Sequence, residues 1–248
     1  MSGHSKWSQI KRQKGVTDAR RGQLFTKLTR EIAVAARQGG SDPESNSRLR
    51  LAVQRARDYN MPIEGIERAI KRASGQVEGA ALTEIIFEGY APGGAAILVQ
   101  ALTDNRNRTL AEVRNTFTRG GGSLGEAGSV SWLFEPKGLL TVEADDVDAE
   151  ELALSAIDAG ADDVKIEGGS VEIYTKPEDL ETVRKALERD FVISSAELSL
   201  VPSTAVKLDD KAALQALKLL DKLEVLDEVQ HVFTNADFPN EVVQEYRS

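Results

Sequence analysis

Apolar side chains recur every three or four residues through the first third of the chain, and every second residue through much of the remainder. Leu24, Leu28, Ile32 and Ala35, with Phe25 beside Leu24, mark one face of a helix that Thr17 or Asp18 can cap and Gly39–Gly40 stops. Asp42–Pro43 reads as a cap followed by proline at the first helical position, and Leu49, Ala52, Val53 and Ala56 line the next helix. The pattern restarts at Met61–Pro62, with Ile63, Ile66, Ile70 and Ala73 on one face and Gly75 at the end. Residues 1–16 show neither period and read as an arm ahead of a three-helix unit.

After Gly75 the period falls to two. Leu82–Glu88 and Ala95–Thr103 are predicted strands around the turn Ala91–Pro92–Gly93–Gly94. A helix comes next, from about Arg106 to Arg119, with Leu110, Val113 and Phe117 inward, and Gly120–Gly121–Gly122 stops it. Ser129–Phe134 reads as another strand. Residues 139–202 then run strand (Leu139–Glu143), helix (Val147–Ala159), two strands (Val164–Glu167 and Val171–Thr175) around Gly168–Gly169, helix (Pro177–Arg189), strand (Ala196–Val201). That β-α-β-β-α-β order is the ferredoxin-like arrangement. A helix over Asp209–Leu223 and a strand over Val229–Asn235 close the chain. Neither flanking piece has enough elements to close a layer alone. The chain is therefore predicted to be α+β, with a helical domain and arm over 1–78. A discontinuous α/β domain is predicted over 79–134 plus 203–248, with an inserted ferredoxin-like domain over 139–202. Glu135–Gly138 and Pro202–Lys207 would be the linkers.

Composition narrows the function classes. Of 248 residues 41% are hydrophobic, enough for a buried core, and no apolar run reaches the ~20 residues of a membrane span. The polar start carries no secretory signal, so a cytoplasmic protein is expected. Cys is absent, which removes disulfides, thiolate metal sites and cysteine nucleophiles; the two histidines, His4 and His231, are far apart in sequence. Net charge is −9, but it is unevenly spread. Residues 1–78 carry 16 Lys+Arg against 8 Asp+Glu, whereas residues 139–202 carry 5 against 17. The first block attracts polyanions and gains by counterion release; the second repels them and would orient a bound polyanion.

The candidate contacts stem from that asymmetry. Lys6, Lys11, Arg12, Lys14, Arg20, Arg21, Lys27 and Arg30 can follow a phosphate backbone, and Trp7 offers a flat face on which a base could stack, or else an anchor onto the helical unit. Arg48, Arg50, Arg55 and Arg57, with Arg68, Lys71 and Arg72, leave a helix-turn-helix reading open. Phosphate contacts carry no base code, so DNA and RNA are not separated here. Asn105, Arg106 and Arg108, between a strand and a helix start, form a candidate anion site; the competing reading is a cap with surface ion pairs. Gly120–Gly125 follows a helix and precedes a strand, the reverse of a phosphate loop. The acidic residues of 139–202 are accounted for by solvation and helix dipoles, so no metal, cofactor or catalytic residue is expected, and no membrane or small-molecule substrate either.

Gly3–His4–Ser5–Lys6–Trp7, Ile10–Lys11, Asn60–Met61–Pro62, Arg68–Ala69–Ile70–Lys71, Thr103–Asp104–Asn105–Arg106–Asn107–Arg108–Thr109, Gly121–Gly122–Ser123–Leu124–Gly125 and Gly128–Ser129–Val130 occur in that order. This series resembles the YebC/PmpR family, which includes the mitochondrial translational activator of cytochrome c oxidase subunit I. Ala91 stands where relatives usually carry glycine. The resemblance implies a three-helix domain followed by two ferredoxin-like α/β domains. It also implies a regulator of gene expression, with DNA-binding transcriptional control as the leading function. The alternative it implies is a ribosome-associated translation factor that binds ribosomal RNA and relieves stalling on proline-rich chains.

Overall fold

The computed structural model describes residue 7 and residues 18–73, 82–144, 147–167 and 169–247, without the side chains of residues 18–20, 167 and 247. These residues form helices first and mixed α/β structure after, and they cluster into two compact units. One takes in 1–52, 61–134 and 202–248; the other takes in 53–60 and 135–201.

In the first unit, helix α1 (Asp18–Gly39) buries Leu28, Ile32, Ala35 and Ala36. Helix α2 (Ser47–Asp58), of which residues 47–52 belong to this unit and 53–58 to the other, is capped not by Asp42 but by Asn46. The buried Asn46 amide donates to Ala35 O at 2.9 Å and Gly40 O at 2.8 Å, and its Oδ1 accepts from Leu49 N–H at 3.0 Å. One side chain thus satisfies orphan groups at the end of one helix and the start of the next. Helix α3 (Ile63–Ala73) packs on α1 and buries Ile66, Ala69 and Ala73. Ile63, expected on that inward face, is instead 67% exposed: burial on α3 begins at Ile66, and the buried apolar residue ahead of the helix is Met61.

Strands β1 (Thr83–Tyr90) and β2 (Ala96–Thr103) form an antiparallel hairpin, and helix α4 (Arg106–Arg119) comes after it. Strand β3 (Ser123–Leu124) pairs with β1. Of Ser129–Phe134, expected to be a strand, residues 129–133 are a loop and a single 3-10 turn at Ser131–Leu133, and only Phe134 is strand. The reason lies in Glu88 of β1, whose buried carboxylate accepts the N–H groups of Gly128, Val130 and Ser131 at 2.7, 2.7 and 2.8 Å. Donors engaged by a carboxylate are lost to a strand ladder.

Strand β4 begins at Phe134 and runs to Glu143, so the expected linker at 135–138 is strand. The second unit continues through α5 (Ala149–Asp158), β5 (Asp163–Glu167), β6 (Ser170–Thr175), α6 (Leu180–Leu187) and β7 (Ser195–Pro202). Its sheet has the order β5-β6-β4-β7. With Leu139 opposite Tyr174 and Leu140 opposite Ile173, alternate residues face opposite sides. Leu140, Val142, Val171 and Ile173 share one side, while α5 and α6 bury Leu152, Ala156, Val183 and Leu187. Asp148 caps α5 through the N–H groups of Glu150 and Glu151.

The chain then returns to the first unit through β8 (Val206–Lys207), α7 (Asp210–Glu224), β9 (Val229–Thr234), β10 (Ala236–Asp237) and α8 (Asn240–Arg247). Strand β9 pairs antiparallel with β2, giving the order β3-β1-β2-β9 with the hairpin at the centre. Phe87, Ile97, Val99, Val113, Phe117, Leu217, Leu220, Val232 and Phe238 pack into one buried cluster, so α4, α7 and α8 share a core with the sheet. Gly89 sits where a Cβ would fall 2.5 Å from Ser123 O and 2.7 Å from the Phe117 ring, so the close approach of β1 to β3 and α4 requires glycine.

Candidate nucleic-acid interface

The structure separates the sequence-predicted contacts into three groups. Lys6, Lys11, Arg12 and Lys14 lie outside the described residues, as does the side chain of Arg20. Trp7 belongs to the protein core: it is 1% exposed and packs in the cluster of Phe87, Val99 and Phe117, leaving no open ring face for a base. Its large apolar surface gains more from burial than from solvent exposure, which withdraws it from the contact set.

Two cations of α1 are held by the fold itself. Lys27 Nζ donates to Glu224 O at the end of α7, and Arg30 to Asp227 O on the segment joining α7 to β9. These bonds place positive charge against main-chain carbonyls at the end of a helix, where a cation is favoured. Arg21 stays exposed on α1. On α2, Arg50 donates to Pro43 O and Glu44 O at 3.0 and 2.8 Å, and Arg48 pairs with Gln38 and Glu84.

A further set remains at the surface. Arg37 in the last turn of α1 is exposed, as are Arg68, Lys71 and Arg72 on α3. Arg68 and Arg72 are four residues apart and so share one helix face, away from the inward Ile66, Ala69 and Ala73. The helical period exposes this pair because the apolar stripe occupies the other side.

The Asp104–Thr109 stretch works mainly as a cap and ion-pair network. Asn105 caps α4, its Oδ1 accepting from Arg108 N–H at 3.1 Å. The Arg108 guanidinium bonds Asp104 at 2.7 Å and also Glu228, a buried residue just ahead of β9. Thr109 donates its hydroxyl proton to Glu228 Oε2 at 2.6 Å. Hydrogen bonding to Glu228, and then to Asp104, holds the Arg108 pKa above its ordinary value; the bond from Arg108 holds Asp104 below its own. Arg108 therefore tethers β9 to the start of α4, and of the anion-site trio only the exposed Arg106 has no partner of this kind among the described residues. Arg106 borders an open depression of about 440 Å³ with Thr83, Glu84, Ile86, Thr103 and Asp104.

Sequence reasoning missed Arg37 as a surface cation and Glu228 as the partner of Arg108. The first had a weak signal, a basic residue near a helix end; the second, 120 residues from its partner, had none. Among the described residues no group of His, Asp and Glu could hold a metal ion, and no helix is long and apolar enough to cross a membrane.

Comparison with known proteins covers nearly the whole chain. A family model described as the TACO1/YebC protein N-terminal domain matches residues 5–76, and one described as the TACO1/YebC second and third domain matches residues 82–236. A probable transcriptional regulatory protein of Dehalococcoides mccartyi is 58% identical, the alignment covering 100% of this chain and 99% of that one. A protein with the same description from Geobacter sulfurreducens is 53% identical over 98% of this chain and 99% of its own length. The crystal structure of a conserved hypothetical protein from Aquifex aeolicus superposes with a TM-score of 0.84 at 50% identity, covering 90% of this chain and 93% of that one.

Proposed function

Because the chain belongs to the TACO1/YebC family, we propose that it regulates gene expression as a cytoplasmic, DNA-binding transcriptional regulator. The regulatory half of this reading is supported by relatives at 53% and 58% identity that are described as probable transcriptional regulatory proteins. The observation that carries the DNA-binding half is the exposed cation set Arg37, Arg68, Lys71 and Arg72, in a segment with 16 basic against 8 acidic residues. Lys6, Lys11, Arg12 and Lys14 join the set from the sequence. Each phosphate that such a group neutralises releases condensed counterions, which drives association and makes it steeply salt-dependent. The acidic 139–202 segment repels a polyanion and opposes indiscriminate coating. No catalytic step forms part of this function.

The test is fluorescence anisotropy of a labelled DNA duplex titrated at several salt concentrations. Replacing Arg37, Arg68 and Arg72 by Ala should weaken binding and reduce the slope of log K against log salt by about 0.9 per lost contact, about 2.7 for all three. An unchanged slope would remove these residues from the interface. Retention of the protein on ribosomes, with no discrete protected sites on genomic DNA, would replace DNA by ribosomal RNA as its target.

A further inference from the structure

Trp132 is 73% exposed, far more than any other aromatic side chain among the described residues. A tryptophan left in water by an otherwise well-packed unit calls for a reason, since its ring offers the largest apolar surface of any residue. Mobility is not that reason, because the loop carrying it is fastened at several points. Glu88 holds the N–H groups of Gly128, Val130 and Ser131, and Gly125 N–H reaches Glu88 O at 2.8 Å. Leu133 N–H reaches Val130 O at 2.9 Å, and Leu133 O accepts from Ser203 N–H at 2.8 Å.

The polar end of the indole is also satisfied. Trp132 Nε1 donates to Ser129 O at 3.1 Å, and the Tyr90 hydroxyl donates to the same oxygen at 3.2 Å. The indole nitrogen and phenol oxygen therefore lie within about 6.3 Å of each other, the two bonds laid end to end. The two side chains converge on one carbonyl with their donors used, and what they offer a partner is their ring surface. Tyr90 is 36% exposed.

Charge selects the partner. Residues 120–134 contain no Lys or Arg. Glu88 lies beneath the loop with backbone N–H groups, and no cation among the described residues, bonded to its carboxylate. Exposed Glu126 is one turn from Ser129, whose N–H reaches Glu126 O at 3.2 Å. A loop with a carboxylate at Glu126, another beneath it at Glu88 and no Lys or Arg of its own repels a phosphodiester and attracts a cation, which binds best over tryptophan. We infer that Trp132 and Tyr90 form a docking face for an arginine- or lysine-bearing segment of a partner protein. It is separate from the cations on α1 and α3, so one molecule can hold a polyanion and a cationic protein segment at different places.

The protein has two tryptophans, Trp7 buried and Trp132 exposed, so quenching by acrylamide reports on Trp132. An eight-residue arginine peptide should shield Trp132 from acrylamide, and an eight-nucleotide single strand should not. Binding of the labelled peptide should weaken roughly three- to thirtyfold in Trp132→Ala, the range of an exposed to a desolvated cation–π contact, and less in Trp132→Phe. Glu126→Gln, which leaves every backbone bond in place, should weaken it too. Unchanged quenching with peptide, shielding by the oligonucleotide instead, or equal peptide affinity in Trp132→Ala would each overturn the inference.

Discussion

Replacing Glu88 by Gln keeps the shape of a buried side chain and removes its charge. In the native protein Oε2 accepts from Val130 and Ser131, and Oε1 from Gly128. An amide has one oxygen. Turned to keep the two bonds at Val130 and Ser131, it sets its NH2 against the Gly128 N–H, donor against donor. The Gly128 N–H is only part-buried, so stranding it costs about 1 kcal/mol, the low end for an unpaired donor, and two bonds that pass from charge-assisted to neutral lose roughly 1 kcal/mol each. The total, about 3 kcal/mol, falls on a single loop. Amide hydrogen exchange at Gly128, Val130 and Ser131 reads that loop directly, and protection there should drop by at least about a hundredfold.

The pH dependence supplies a second check. Burial pushes the Glu88 pKa up, but the bonds from Gly128, Val130 and Ser131 together outweigh it and hold the carboxyl below its ordinary value. A carboxyl depressed in this way contributes fully above its unfolded pKa of about 4.3, and the contribution is lost as the pH falls through the folded pKa. The difference between native protein and Glu88→Gln should therefore be widest at neutral pH and close in acid, below about pH 4. Equal protection at pH 7, or a difference that persists undiminished at the lowest pH where the fold survives, would refute the reasoning.

Trp7→Ala should lower stability by about 3–5 kcal/mol, seen in the denaturation midpoint, because a buried indole leaves a cavity; normal stability with weakened DNA binding would return Trp7 to the interface. Gly89→Ala should cost about 1–3 kcal/mol by overpacking against Ser123 O and the Phe117 ring, measured the same way. Arg108→Ala should lower the melting temperature by unpairing Glu228, and the loss should shrink with added salt; Arg106→Ala should leave melting unchanged.

Much of the architecture was legible because it is periodic. The helix over Arg106–Arg119 is where spacing and the triple glycine place it, and the four strands and two helices of the 139–202 segment follow its rhythm to within a few residues. What stayed hidden depends on partners distant in sequence. Nothing near Trp7 reveals that it will share a buried cluster with Phe87 and Phe117. Glu88 sits in a strand pattern as an ordinary polar residue, yet its three donors lie 40 to 43 residues on and abolish a strand that composition favours. Lys27 and Arg30 read as free cations because the carbonyls they reach are 197 residues away. Helix α8 escaped because its single amphipathic turn or two comes after Pro239 with little pattern to read.

The pairing of β2 with β9 has a consequence for how the protein is made. At synthesis rates of roughly 5–20 residues per second, the ~130 residues between Thr103 and Thr234 take about 7–26 s to emerge. For that interval the nascent β1–β2 hairpin carries an unpaired edge, while the 135–201 segment has every strand of its own sheet in hand and can finish first. Birth order and assembly order therefore diverge, and the last strand of that sheet to leave the ribosome closes the edge that has stood open longest.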